Sequence, residues 1–390
     1  MKIRLHEPTF GEEEIAAAVD VLRSTQVTQG AKVKAFERAF AGGMHGVAVN
    51  SGSSANLLLV SALTNPTTPN RLHPGDEVIV PALSWSTTVW PLIQCGLVPV
   101  IVDIDPGTFN ISPEHVERAI GPRTRGLMPV HVYGNPCDMD ALTVITDAHG
   151  LELIEDCCEA LGATYAGHPV GTFGRGGTFS FYYSHHMTTL EGGMVLTYST
   201  RLAERMRILR AHGWTRDVEF PEHYAHEGMD PRFTFVDMGY NLRMNEVQAA
   251  IGLVQLPKLP GFVAQRRDNA ASWKRDLSQW RDYFSFQKEL VDGFSSWFGF
   301  SIVLKPAARF SVTEIRAYLA QAGIETRPII CGNIARQPGM QLYPHRVVGD
   351  LRHANNIMDR AFSFGNHQAI GPAERDYVTS TIYNFMRGRT

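Results

Sequence analysis

Gly126-Leu127-Met128-Pro129-Val130-His131-Val132-Tyr133 and Leu151-Glu152-Leu153-Ile154-Glu155-Asp156 are short apolar runs separated by a helical pattern, and each ends in polar or turn residues. Two similar runs precede them, Gly75-Asp76-Glu77-Val78-Ile79-Val80-Pro81 and Val98-Pro99-Val100-Ile101-Val102-Asp103. Such runs, alternating with helical periodicity between residues 45 and 200, predict crossover units on a mainly parallel sheet. Ligands of such sheets sit at the carboxyl edge, so the polar residues that close each run are the first candidates for a site.

Outward from this segment, helical periodicity returns at 201–209 and 245–256, and Pro257 through Pro260 predicts a break. A chain of 390 residues is long enough for two packed domains. The expected division is a large domain with an N-terminal arm over 1–256 and a smaller α+β domain over 257–390. In the latter, Trp297 to Leu304 reads as a strand and Val312 to Ala322 as a helix.

Composition narrows the class of function. Hydrophobic residues make up 44%, charged residues 19%, and the net charge is −3 without a basic stripe, which argues against nucleic-acid binding. The first residues lack the apolar core of a secretory signal, and no run reads as a membrane span, so a cytoplasmic protein without membrane contact is expected. Five scattered cysteines, Cys95, Cys137, Cys157, Cys158 and Cys331, suggest reduced thiols and lack the spacing of a zinc or iron–sulfur site.

Several segments carry possible chemistry. Asn50-Ser51-Gly52-Ser53-Ser54-Ala55-Asn56 places small residues before an apolar helical pattern, where backbone N–H groups and the helix start favour a phosphate; plain capping is an equally good reading in isolation. Asp156 closes a strand and could serve a ligand or cap the next turn, while Glu159 follows three residues later. Trp85 could stack on a planar ring, although a core tryptophan is commoner. In Ser180-Phe181-Tyr182-Tyr183-Ser184-His185-His186, the adjacent histidines point in different directions, so one at most is expected to face a reacting atom. No HExxH spacing accompanies them, and no metal is expected. His223 and His226 fall in a polar stretch that reads as loop.

Taken in order, Gly52-Ser53-Ser54-Ala55-Asn56, Gly75 to Pro81, Val102-Asp103-Ile104-Asp105-Pro106, Val130-His131-Val132-Tyr133-Gly134, Glu155-Asp156, Gly171-Thr172-Phe173-Gly174, Glu191-Gly192-Gly193 and Gly239 to Glu246 span most of the chain. They resemble the DegT/StrS nucleotide-sugar aminotransferase family, which has the type I aminotransferase fold and uses pyridoxal phosphate. Where that family carries its cofactor-binding lysine, this chain has His185. Together with Ser84-Trp85-Ser86-Thr87-Thr88, Arg210 to Arg216, Ser295 to Phe300 and Gly365-Asn366-His367-Gln368, that change is similar to the family's 3-dehydratase branch.

The resemblance implies pyridoxal or pyridoxamine phosphate that is not covalently tethered, because imidazole cannot hold the aldehyde as lysine does, yet can still move protons near neutral pH. It implies His185 as the base, Gly52, Ser53, Ser54 and Ser180 around the phosphate, Asp156 on the pyridine nitrogen, Glu159 near the ring hydroxyl and Trp85 on the ring. Asn241 would reach the cofactor phosphate of a neighbouring subunit, which requires a homodimer with shared sites. His212 and Arg216 would approach a nucleotide sugar, and Arg327 would bind either glutamate or the sugar diphosphate. The implied reaction removes the C3 hydroxyl of a 4-keto-6-deoxy nucleotide sugar, with GDP-4-keto-6-deoxymannose the expected substrate. L-glutamate would regenerate the amine form and ammonia would leave.

Reductive dehydratases that need a four-cysteine [2Fe–2S] cluster are disfavoured by the cysteine spacing. Two other readings remain open: a C4 aminotransferase working without lysine, and a non-catalytic binding or regulatory protein. Retention of Asp156, Trp85 and the small-residue turn speaks against the latter.

Overall fold

The computed structural model describes residues 1–230 and 233–389. Its main sheet runs, edge to edge, through His45–Val49, Gly193–Thr197, Gly176–Ser180, Glu152–Asp156, Thr124–Leu127, Glu77–Pro81, Val98–Val102 and Arg346–Val347. Strands from Gly176–Ser180 to Arg346–Val347 pair in parallel, while Gly193–Thr197 pairs antiparallel with both its neighbours. This is the α/β, mainly parallel mixed sheet flanked by helices that the alternating pattern predicts. Parallel strands are covered on both faces, which explains why Glu77–Pro81 is buried at every position instead of alternating.

The third predicted strand is shorter than its apolar run. Hydrogen-bonded pairing of Thr124–Leu127 stops before Pro129, and Val130 makes only an isolated bridge to Asp156. Proline cannot donate to a ladder, and Tyr133 then takes φ 56°, turning the chain under the carboxyl edge. The later elements follow their predictions closely, with a strand at Gly299–Leu304 and helices at Thr200–Arg210, Glu246–Gln255 and Val312–Gln321.

Around Pro257 the helical path continues where a break was predicted. A 3₁₀ turn, Leu256–Lys258, joins Glu246–Gln255 to the helix Leu259–Asp276, and Pro257 and Pro260 occupy first-turn positions where a missing N–H costs nothing. The combined run Glu246–Asp276 is thereby long and apolar enough to span a membrane by length and composition. Part of its apolar surface is used inside the protein: Ala249 packs in a cluster with Phe36, Phe181 and Met244, and Ala270 and Trp273 pack in another with Phe300 and Phe364.

A four-stranded sheet orders Phe284–Phe286, Gly299–Leu304, Ala361–Gly365 and Thr326–Arg327. Its core includes Trp273, Phe300, Phe362 and Phe385, each fully buried side chain of this size contributing ~1.5–3 kcal/mol. The two sheets exchange chain. Ile3, from the N-terminus, packs in this second core, whereas Ala354 and Ile357 join the first core beneath the main sheet.

Candidate active site

The carboxyl edge of the main sheet opens into a cavity of about 440 Å³. Of the residues singled out above, it brings together Gly52, Ser53, Trp85, Asp156, Glu159, Ser180, His185 and Arg327. Ser54 lies behind the lining. As the third residue of the helix Gly52–Thr64, it donates its backbone N–H to Ser51 Oγ at 3.1 Å and its hydroxyl to Asn50 Oδ1 at 2.6 Å. Ser51, the helix cap, takes the lining position.

At this helix start, Gly52 and Ser53 present N–H groups without intrahelical partners, and the helix dipole favours an anion. Ser180 stands opposite. A Cβ on Gly52 would fall 2.5 Å from Ser180 Cβ and 2.8 Å from its Oγ, so the cradle is open only because residue 52 is glycine. These groups fit a cofactor phosphate.

Asp156 reaches the cavity from the end of its strand and is 4% exposed. Asn56 Nδ2 and Thr88 Oγ1 donate to its Oδ2 at 3.0 and 2.7 Å, and the Cys158 amide donates to Oδ1 at 3.1 Å. Three donors hold the carboxylate at one angle to the cavity, where it can pair with a cationic ring nitrogen. Trp85 is 56% exposed, which removes the core reading and leaves a free indole face at the cavity wall.

His185 Nδ1 lies 2.6 Å from the Cys158 carbonyl oxygen. A carbonyl only accepts, so the proton sits on Nδ1 and the Nε2 lone pair is left as the base. Loss of water around the ring, opposed by the Cys158 carbonyl and reinforced by Arg327 and Arg266, lowers the pKa to about 4. The imidazole is therefore neutral at pH 7. His186 points into the core instead: it is 1% exposed, its Nε2 donates to Ser296 O at 3.1 Å, and burial holds its pKa well below the ordinary value.

Glu159 has the opposite perturbation. Burial raises its pKa to about 7 against the pull of Arg327, while Tyr133 N–H donates to Oε2 at 3.1 Å. Near neutrality it can thus donate or accept a hydrogen bond. Arg327 donates from Nε to Tyr133 Oη at 3.2 Å and lies 5.2 Å from the Phe298 ring centroid, leaving its charge at the cavity for an anionic substrate group.

Asn241, His212 and Arg216 lie outside this lining. Asn241 Oδ1 accepts from Arg243 Nε at 3.1 Å, His212 Nε2 is 3.5 Å from Arg243 Nη2, and Arg216 sits over Trp214 at 5.1 Å. Sequence reasoning missed Thr88 and Asn56 as supports of Asp156, and Tyr182, Ser184, Glu191 and Phe298 as wall. Thr88 and Asn56 stand within segments already quoted for their similarity, but nothing in linear spacing shows their approach to Asp156.

One buried trio elsewhere, His131, Glu155 and Cys157, has ligand atoms mutually within 4.8 Å. The Glu155 carboxylate is already occupied by the amides of Gly171, Phe173 and Gly174 and by His131 Nε2, whose Nδ1 accepts from Cys137 N–H. It is a loop-holding hub.

A family profile described as "DegT/DnrJ/EryC1/StrS aminotransferase family" matches residues 8–383. The chain belongs to this family. A GDP-4-keto-6-deoxy-D-mannose 3-dehydratase of Yersinia pseudotuberculosis is 41% identical over 372 residues, covering 93% of this chain and 94% of the relative. A crystal structure of GDP-4-keto-6-deoxymannose-3-dehydratase with a trapped PLP-glutamate geminal diamine superposes with a TM-score of 0.93, at 37% identity, over 97% of this chain and 100% of that one. A mutant of the same-named enzyme with bound GDP-perosamine gives 0.91 at 37% identity, over 98% and 100%. The type I aminotransferase fold implied by the sequence is thus the fold of this DegT/DnrJ/EryC1/StrS family member.

Proposed function

We propose that this family member is a sugar 3-dehydratase that uses untethered pyridoxal and pyridoxamine phosphate to remove the C3 hydroxyl of GDP-4-keto-6-deoxymannose. L-glutamate serves as amino donor and ammonia is released. The observation that carries the reading is His185: a neutral imidazole with Nδ1–H fixed on Cys158 O and Nε2 free, placed in one cavity with Asp156 and the Gly52 cradle. The resemblance to enzymes named for this reaction, one with a PLP-glutamate adduct and one with a GDP-sugar, supports substrate, donor and cofactor together.

Pyridoxamine phosphate, when bound, supplies an amine for the sugar ketone and, in becoming pyridoxal phosphate, the two electrons that deoxygenation consumes. The chain's residues divide the rest of the work. Gly52, Ser53 and Ser180, which line the cavity together, would hold the phosphate, and Trp85 would cover one ring face. Asp156, anchored by Asn56 and Thr88, keeps the ring nitrogen protonated. His185 Nε2 would take a proton from the carbon beside the ring, and the resulting imidazolium would return it to the leaving hydroxyl as water. Glu159, with a pKa of about 7, would exchange a hydrogen bond with the ring hydroxyl. Arg327 pairs with the glutamate carboxylate or the diphosphate.

The His185 imidazole, unlike a lysine amine, cannot form a covalent bond with the cofactor aldehyde, so release of the product and of ammonia would fall to water. As part of this proposal the chain divides at residue 257 into large and small units and acts as a homodimer. Asn241, with His212 and Arg216, would then serve the neighbouring copy's site. Five free cysteines support a reducing, cytoplasmic setting.

The test incubates the protein with pyridoxal phosphate, L-glutamate and GDP-4-keto-6-deoxymannose and follows the sugar by mass spectrometry. Loss of one oxygen with release of ammonia is the expected result. A product carrying nitrogen at C4 overturns the mechanism in favour of amino transfer. Formation of 2-oxoglutarate without sugar turnover overturns the substrate.

A further inference from the structure

The Gly365-Asn366-His367-Gln368 segment has no atoms in the cavity lining, yet most of it grips the N-terminal arm. The arm crosses so close to Gly365 that a Cβ there would lie 2.0 Å from Arg4 O. His367 Nε2 is 3.2 Å from the same oxygen, and Gln368 Nε2 donates to Glu7 O at 2.8 Å. On the other side Ile3 exchanges backbone hydrogen bonds with Gly323 and Glu325, and Leu5 N–H donates to Glu325 Oε2 at 3.1 Å. Residues 3 to 7 are therefore anchored before and after His6.

His6 is thereby delivered to the loop that carries the base. Its Nε2 lies 2.6 Å from Tyr183 Oη, and the two rings meet edge to face at 4.5 Å. Burial and the nearby Arg327 guanidinium keep His6 below its ordinary pKa, so at neutral pH the ring is uncharged and shares one hydrogen bond with the tyrosine hydroxyl. Between arm and loop lies a small cleft lined by Leu5, His6, Ser184, Phe298 and Arg327, and the last three also line the main cavity.

We propose that the N-terminal arm is a working part of the active site, with His6 a positioning residue that, through Tyr183, fixes the loop bearing Tyr182, Ser184 and His185. The catalytic half of this statement rests on the proposed dehydratase reading; the loop-ordering half does not. His6 acts through Tyr183 and need not touch substrate.

The test compares His6→Ala, Tyr183→Phe, the double variant and His6→Gln, whose amide can donate to or accept from the tyrosine hydroxyl. Amide hydrogen exchange of residues 181–190 is measured on the cofactor-free protein, and kcat and KM on the loaded enzyme. Each single loss should speed exchange in that loop by about fivefold, the effect of one partly exposed hydrogen bond, while exchange in the strand His45–Val49 stays as it was. A similar fall in kcat, with little change in sugar KM, should accompany it. The double variant should be no worse than either single one, and His6→Gln should restore most of both readouts.

Unchanged loop exchange in His6→Ala, or additive losses in the double variant, would overturn the proposal. Loosened exchange in a protein that turns over no sugar would uphold the ordering role and sink the dehydratase reading instead.

Discussion

Replacing Gly52 by alanine tests the phosphate cradle directly. The added Cβ would sit 2.5 Å from Ser180 Cβ, 2.8 Å from Ser180 Oγ and 3.1 Å from Cys158 Sγ. Carbon pairs need about 1 Å more. Ser180 cannot retreat, because it is 6% exposed and its strand position pairs with Gly193, which is itself packed against the Ser51 backbone. The helix start must tilt away instead, misdirecting the N–H groups of residues 52 and 53. Each charge-assisted hydrogen bond to a phosphate contributes ~1.5–3 kcal/mol, so partial loss of two should weaken cofactor binding about a hundredfold. Overpacking should cost a further ~1–3 kcal/mol of stability. Absorbance titration of the cofactor-free variant with pyridoxal phosphate reads the first effect, and thermal unfolding without cofactor reads the second. Wild-type affinity in Gly52→Ala would refute the placement of the phosphate at this helix.

Other consequences are equally open to measurement. His185 and His367 have folded-state pKa values of about 4 against 6.5 in an unstructured chain, so the unfolded state binds protons first as pH falls. Their stability contribution should be complete above pH 6.5 and disappear toward pH 4, seen as falling urea midpoints across that window and a shallower fall in His185→Asn. Thr88→Val removes the 2.7 Å donor to Asp156 and should lower kcat about tenfold while cofactor remains bound, checked by single-turnover kinetics and the bound cofactor's spectrum. His185→Lys should retain cofactor through dialysis and leave nitrogen on the sugar, read by absorbance and product mass. Glu246→Gln weakens the carboxylate that accepts from Gly30, Lys32 and Val33 N–H at the start of the helix Ala31–Ala41, and should cost ~2 kcal/mol in chemical unfolding without changing the product formed.

Local patterning made the main sheet and its carboxyl-edge residues legible, because strand, turn and helix start are neighbours in the chain. That is why Gly52, Trp85 and Asp156 could be found from short segments, whereas the family resemblance chose His185 over His186. Contacts that cross the chain were hidden. Phe298 enters the cavity from the smaller sheet's region, as does Arg327, which the family resemblance and not the local pattern had named, and His6 reaches Tyr183 across 177 positions from a segment with no periodicity. Some segments that carried the family resemblance serve packing: Asp103 caps the helix Arg352–Arg360 through the amides of His353 and Ala354, and Gly171 to Gly174 wraps Glu155. A short motif does not reveal whether its residue will meet substrate or another part of the backbone. The helical continuity through Pro257 was hidden for a simpler reason, since proline at a helix start and proline at a break look alike in sequence.

Glu155 and Asp156 are adjacent acids on one strand, and the pleat sends them to opposite faces. One is committed to architecture, gathering the 171–174 loop, and the other to the cavity. A slip of one residue in this strand would exchange their duties and ruin both at once. With the register intact the faces can diverge independently, so a lineage could alter which bond the cavity breaks, down to a single exchange at position 185, without renegotiating the scaffold behind it.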